Sequence, residues 1–132
     1  MEIAIEKLVA VCFFVIGLSH ILQPRTWVEF FIRFRDKGAV GSLQLGLFHL
    51  PFALLIVSFH NIWHGLPLIV TIIGWAQLLK SALYLTYPKH GLRMLATVSV
   101  ERSWQYVVAG VFSIVISGVI FFSLWQRSSV GL

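Results

Sequence analysis

The sequence predicts an all-α membrane protein, a four-transmembrane-helix bundle with an amphipathic interfacial helix between transmembrane helices 1 and 2. Hydrophobic residues make up 58% of the 132 residues and charged residues only 11%, whereas a soluble domain carries about 25% charged residues. The apolar residues form four long stretches, and the positive residues lie mainly between those stretches. Lipid must therefore be the solvent for much of the surface.

The four predicted spans make up a single membrane domain, residues 1–132. A helix needs about 20 mostly apolar residues to cross the hydrocarbon. The stretches that meet this length are residues 5–23, 39–59, 66–87 and 104–125. Pro24 and Pro88 mark the ends of the first and third spans. Pro51 is expected to bend the second span, because its nitrogen has no hydrogen to donate to the helix.

The segment 25–37, between the first two spans, is predicted to form a helix with two different faces. Aromatic residues recur at helical spacing on one face, and charged residues occupy the other. Such a helix lies in the membrane interface rather than crossing it, so we expect it to anchor the bundle at a fixed depth. The anchoring residues are Trp27, Phe30, Phe31 and Phe34. The segment 88–103 shows a weaker version of the same pattern.

The distribution of lysine and arginine predicts the orientation. The loops after the first and third spans hold Arg25, Arg33, Arg35, Lys37, Lys89, Arg93 and Arg102. The opposite side holds only Lys7 and Arg127. The positive-inside rule therefore places the basic loops in the cytoplasm and both termini outside. Because topology accounts for the net charge of +5, the lipid bilayer is the expected partner and nucleic acid is not.

Polar side chains inside a span are costly, so each one is a candidate functional residue. Lys80 is the most informative, and Gln77 and Ser81 lie close to it on the third span. His49, near the middle of the second span, and His20, in the first, complete a predicted intramembrane polar site. Lys80 either faces the interior, where it would attract an anion, or extends its amine to the headgroups. Each histidine is otherwise a neutral packing residue.

Two histidines on the outer side are candidate metal ligands. His60 and His64 are four residues apart and share a face if the second helix continues through them. Glu2 and Glu6 have the same spacing and belong to the same side of the membrane in the predicted topology. Two histidines with a carboxylate can bind zinc or copper. The alternative is a hydrated loop of interfacial side chains.

Small residues at helical spacing predict close helix packing. Ser42 and Gly46 share a face of the second span, and Ala109, Ser113 and Ser117 recur every four residues in the fourth. Such patterns allow two membrane helices to approach closely. The sequence leaves open whether these contacts lie within the bundle or between subunits.

Two parts of the chain resemble known families. Residues 17–20, which read Gly-Leu-Ser-His, together with Pro24 are similar to the opening of DoxX-like proteins. Residues 60–63 (His-Asn-Ile-Trp), with Gly74, Trp75 and Lys80, resemble uncharacterised small bacterial four-helix inner-membrane proteins. The resemblance implies a bacterial inner-membrane location and assigns no site residue.

Three functions fit these observations. The first is an oligomeric structural or accessory subunit, in a homo-oligomer or a larger membrane complex, favoured by the small-residue faces and the lack of catalytic motifs. The second is an oligomeric ion channel or small-solute transporter whose path is lined by the polar site. The third is a membrane protein that binds metal at His60 and His64 or haem at His20 and His49. No catalytic residue and no cofactor are expected, and the single cysteine, Cys12, excludes an internal disulfide.

Overall fold

The computed structural model describes residues 1–131, in which every regular element is helical. The elements are α1 (Glu2–Leu22), α2 (Pro24–Asp36), α3 (Ala39–Phe59), α4 (Leu68–Thr86), α5 (Pro88–Leu95) and α6 (Trp104–Val130), with a short 3-10 turn at Val100–Arg102. Helices α1, α3, α4 and α6 are each long and apolar enough to cross a membrane. The predicted all-α bundle is therefore confirmed. Leu132, the last residue of the predicted domain, lies outside the described residues.

Proline and glycine set the boundaries between helices. Pro24 and Pro88 begin α2 and α5, where the missing N–H is not needed for a helical hydrogen bond. Proline also disfavours helical backbone at the residue before it, which explains why α1 and α4 end there. Pro51 lies inside α3, which runs unbroken through it. Gly38 turns the chain into α3 with a φ of 61°, a left-handed conformation that glycine adopts without strain.

The four spanning helices form two pairs. Helix α1 packs along α6, and α3 packs along α4, whereas direct contacts between the pairs are few. Helix α1 touches α3, but α4 and α6 scarcely meet. Helix α2 joins the pairs by contacting α1, α3 and α6, and α5 lies against α3 and α4. The ring of four helices is therefore open on the side between α4 and α6.

Small residues bring α1 and α6 into close contact. A Cβ atom added to Gly110 would lie only 2.6 Å from the carbonyl oxygen of Gly17, so the two backbones touch at this crossing. Further along the same contact, Oγ of Ser117 donates a 2.7 Å hydrogen bond to the carbonyl of Ala10. Close backbone approach and interhelical hydrogen bonds are the two means by which membrane helices associate.

The contact between α3 and α4 is built in the same way. Oγ of Ser42 donates to the carbonyl of Tyr84 at 2.9 Å, and Oγ of Ser81 donates to the carbonyl of Gly46 at 2.8 Å. A Cβ atom on Gly46 would lie 2.6 Å from Cγ of Leu85. These small residues therefore pack within one chain, between the two members of a pair.

The two ends of the bundle have different cores. We call the end that holds both termini and the α3–α4 loop the terminal end, and the end that holds α2 and α5 the basic end. The core of the terminal half draws on all four spanning helices and consists of Ile5, Val9, Ala10, Ile56, Val70 and Ile120. The smaller core of the basic end draws on α2 to α5 and consists of Phe34, Leu45, Tyr84 and Leu95. The α1–α6 pair contributes nothing to this second core, and space remains beside it.

Candidate functional site

A cavity of about 380 Å³ lies at the basic end, between the two helix pairs. Its volume falls in the range of roughly 300–1,000 Å³ that is typical of ligand pockets. Helix α4 contributes Lys80 and Tyr84, and α6 contributes Gln105, Tyr106 and Ala109. The cavity therefore occupies the open side of the ring.

The charged residues that line the cavity are Lys80 and Arg102, and no carboxylate of residues 1–131 is among the lining side chains. Among residues 1–131, Arg35 pairs with Asp36, and Glu6 pairs with both His60 and Arg127. Neither cavity cation therefore has a carboxylate partner within residues 1–131. Two cations that share a cleft with low-dielectric walls concentrate a positive potential there, which favours an anion.

One wall of the cavity is held in place by aromatic stacking around His20. The His20 ring stacks with Trp27, at 4.3 Å between centroids, and with Tyr106, at 5.6 Å. Nδ1 of His20 donates to the carbonyl of Ile16 at 2.7 Å, because a carbonyl oxygen can only accept. Nε1 of Trp27 in turn donates to Oγ of Ser19 at 2.9 Å. This wall is therefore fixed jointly by α1, α2 and α6.

Another part of the cavity lining is the loop after α5, which α2 holds in place. Nη1 of Arg35 donates to the carbonyl of Val98 at 3.0 Å. Val98 lines the cavity and also packs against the core of the basic end. Helix α2 thus positions two sides of the site, and its own Phe31 lines the cavity.

The structure divides the predicted intramembrane polar site. Lys80 and His20 line the cavity, whereas Ser81 is buried in the α3–α4 contact. His49 is half-buried and stacks on Tyr84, with 6.4 Å between ring centroids. Oε1 of Gln77 is buried and has no hydrogen-bond partner among residues 1–131. Two of the five predicted residues therefore face the cavity together, and three lie elsewhere.

At the terminal end, one polar network joins all four spanning helices. Oε1 of Glu6 accepts a 3.2 Å hydrogen bond from Nε2 of His60, and Oε2 accepts one from Arg127. Nδ1 of His60 lies 3.1 Å from Oγ1 of Thr71. That hydroxyl donates to the carbonyl of Ile62 at 2.9 Å and accepts from its N–H at 3.0 Å. The network therefore runs from α6 through α1 to the end of α3, and on to α4.

This arrangement separates the two predicted metal ligands. His60 is fully buried and uses both ring nitrogens in the network, while His64 is exposed in the α3–α4 loop. Glu6 is the carboxylate beside His60, and Glu2 is exposed. In residues 1–131, no three His, Cys, Asp or Glu side chains are grouped so as to hold a metal ion. A metal at His60 and His64 stays a prediction, and it would have to compete with Glu6 or Thr71.

The predicted anchoring face of α2 is used partly inside the protein. Phe34 is buried in the core of the basic end, and Trp27 stacks on His20. Phe31 lines the cavity and stacks near Tyr106, whereas Phe30 is 39% exposed. The aromatic face therefore joins α2 to the bundle as well as facing outward.

The predicted packing residues of α6 lie at different places around that helix. Ser117 and Gly110 face α1, as described above. Oγ of Ser113 donates to the carbonyl of Ala109 in its own helix at 2.9 Å. Ala109 itself is exposed and lines the cavity.

Arg102 and Tyr106 are among the cavity residues that were not predicted as site residues from the sequence. Arg102 contributed only to the predicted orientation, because no local sequence pattern places it at the same cavity as Lys80. The pairing of Glu6 with Arg127 was also missed, although both are ionisable residues near the same predicted face of the membrane. Comparison with family models, curated proteins and solved structures finds no match to this chain.

Proposed function

We propose that this chain is a small multi-pass protein of the bacterial inner membrane that binds an anionic ligand in the cavity at its basic end. The observation that carries this proposal is the pair Lys80 and Arg102, which face one cavity that no carboxylate of residues 1–131 lines. By the positive-inside rule this end lies in the cytoplasm and both termini lie outside. The ligand would therefore be held near the cytoplasmic surface.

The position of Lys80 gives the proposal its energetic basis. Helix α4 ends at Thr86, so Lys80 lies about 9 Å from that end at 1.5 Å per residue. A cation at this depth costs free energy unless it reaches water, a headgroup or an anion. An anion between Lys80 and Arg102 would offset this cost for both side chains.

The packing of the terminal half supports binding over conduction. Ile5, Val9 and Ile56 fill the space among the helices there, together with the buried pair Glu6 and His60. Within residues 1–131 this packing lies between the cavity and the terminal end, so conduction would need a pathway between chains.

The small-residue faces no longer favour a homo-oligomer over a monomer. Ser42 and Gly46 contact α4, and Ser117 contacts α1, all within one chain. Ser42, Gly46 and Ser117 therefore give no support to an oligomer, and an oligomeric or accessory role stays a prediction.

The test is native mass spectrometry of the protein in mild detergent with octyl phosphate, and octyl glucoside as the uncharged comparison. We expect octyl phosphate to bind to the wild-type protein, and we expect the Lys80→Met substitution to weaken that binding. A hydrogen bond to a charged group contributes about 1.5–3 kcal/mol, so Kd should rise at least about tenfold. Lys89→Met is the matched control, because Lys89 is exposed on α5 and does not line the cavity. Equal binding by both variants would contradict the proposal.

A further inference from the structure

The open side of the helix ring is also the side on which the cavity meets the membrane. Lys80 and Tyr84 line one edge of the cavity from α4, and Gln105, Tyr106 and Ala109 line the other from α6. These two helices scarcely contact each other. Because so few contacts close this side of the ring, the cavity is open sideways, toward lipid.

The two helices that flank this opening carry exposed apolar residues. Leu79 on α4 is 64% exposed, and Val108 and Phe112 on α6 are 54% and 68% exposed. Apolar side chains with this much exposure on a spanning helix lie in hydrocarbon. A ligand that enters through the opening must therefore cross a hydrocarbon boundary, which excludes a bare inorganic ion by this route.

The cavity itself has one polar part and one apolar part. Lys80 and Arg102 supply the charge, whereas Met94, Leu95 and Val98 are apolar. An amphiphile with an anionic head satisfies both parts at once. The tyrosines at positions 84 and 106 are suited to the boundary, because tyrosine has an apolar ring and a polar tip.

The size of the cavity indicates which part of an amphiphile it holds. A volume of about 380 Å³ corresponds to about a dozen waters at roughly 30 Å³ each. That space admits a phosphate headgroup but not two acyl chains. The chains would remain in the opening between α4 and α6, against Leu79 and Phe112.

The charge pattern selects among phospholipids. No carboxylate of residues 1–131 lines the cavity, so the amine of a zwitterionic headgroup would find two cations and no partner. Like charges in a desolvated site repel, whereas a headgroup whose only charge is its phosphate is attracted by both cations. Resting on the proposed function, we infer that the ligand is an anionic phospholipid, which enters sideways between α4 and α6 and places its phosphate between Lys80 and Arg102.

The test compares three probes by native mass spectrometry: phosphatidylglycerol, phosphatidylcholine with the same acyl chains, and glycerol 1-phosphate, the headgroup without chains. We expect phosphatidylglycerol to bind at least tenfold more tightly than the other two. Lys80→Met should abolish this preference. Lys7→Met, which removes a lysine at the terminal end, should leave it unchanged.

A second variant tests the side entry without touching the charges. Ala109 is exposed and lines the cavity, so Ala109→Leu should narrow the opening and weaken phosphatidylglycerol binding several-fold. Val111→Leu, at a position of the same helix that is 50% exposed and does not line the cavity, is the control. The melting temperatures of both variants are first measured without lipid. If these temperatures agree, weaker lipid binding by one variant reflects a blocked opening and not misfolding.

The possible outcomes distinguish the two proposals. Lys80-dependent binding of glycerol 1-phosphate as tight as that of phosphatidylglycerol would overturn the lipid assignment and leave the anion site standing. Equal binding of phosphatidylglycerol and phosphatidylcholine would also overturn the lipid assignment. If octyl phosphate, phosphatidylglycerol and glycerol 1-phosphate all bind independently of Lys80, both proposals fail.

Discussion

At the terminal end, Glu6 accepts hydrogen bonds from His60 and Arg127, and the four spanning helices share one core. At the basic end, Lys80 and Arg102 have no carboxylate partner among residues 1–131, and the helix pairs stand apart around a cavity. Both ends contain charged side chains in an apolar bundle, but among residues 1–131 the two cavity cations lack the carboxylate partner that Glu6 provides at the terminal end. A buried polar group that is fully paired adds rigidity, whereas an unpaired one marks a place where a ligand can complete the structure.

The largest effect is expected from breaking the closed end with Glu6→Ala. This change removes the carboxylate that accepts hydrogen bonds from both Arg127 and the buried His60. Removing one partner of a buried ion pair costs about 3–5 kcal/mol, so the free energy of unfolding should fall by this amount. Denaturant titration in detergent measures it. Glu2→Ala, at an exposed position of the same helix, should change stability by less than about 0.5 kcal/mol, and equal losses for the two variants would contradict the network.

A second test concerns the α1–α6 pair, which forms one side of the cavity. Gly110→Ala would place a Cβ atom 2.6 Å from the carbonyl oxygen of Gly17, so one backbone must move. Overpacking of this kind costs about 1–3 kcal/mol, and we expect a lower melting temperature. Gly118→Ala is the control, since a Cβ atom there meets nothing within 4 Å. If both alanine variants melt at the wild-type temperature, the close crossing of α1 and α6 is wrong.

The fold was predictable because membrane solvation dominates the sequence. Long apolar stretches and the prolines at 24 and 88 determine where helices begin and end, and both signals are local. The site was less predictable, because it depends on which helices pair. Lys80 and Arg102 line the same cavity because α4 and the turn before α6 flank one space. No local pattern in the sequence contains that information.

The polar network at the terminal end was also not predictable from local sequence patterns. The spacing of His60 and His64 suggests a shared helical face, but α3 ends at Phe59 and His60 turns inward. His60 donates to Glu6, which also pairs with Arg127, a residue 121 positions further along the sequence. Pairing across so long a separation follows from three-dimensional packing and has no periodic signal.

Lys80→Met is expected to raise the stability of the protein, whereas Glu6→Ala is expected to lower it. Lys80→Met keeps the length of the side chain and removes a cation that has no carboxylate partner in residues 1–131. Without ligand, the variant should therefore be more stable than wild type by about 1 kcal/mol, within the usual gain from relieving a functional compromise. Thermal unfolding of delipidated protein measures the change. A loss of stability as large as that of Glu6→Ala would mean that Lys80 serves the fold rather than a ligand.

The smallest predicted effect separates bonds between helices from bonds within one helix. Ser117→Ala removes a hydrogen bond from α6 to the carbonyl of Ala10 in α1, whereas Ser113→Ala removes one to Ala109 in the same helix. Interhelical hydrogen bonds in membrane proteins contribute about 0.6 kcal/mol on average, so Ser117→Ala should lower stability by about that amount and Ser113→Ala by less. Denaturant titration of the two variants side by side resolves the difference. Equal losses would mean that the α1–α6 pair is held by close packing at Gly17 and Gly110 alone. The polar network at Glu6 would then be the main polar link between these helices, which would sharpen its contrast with the unpaired cations at the basic end.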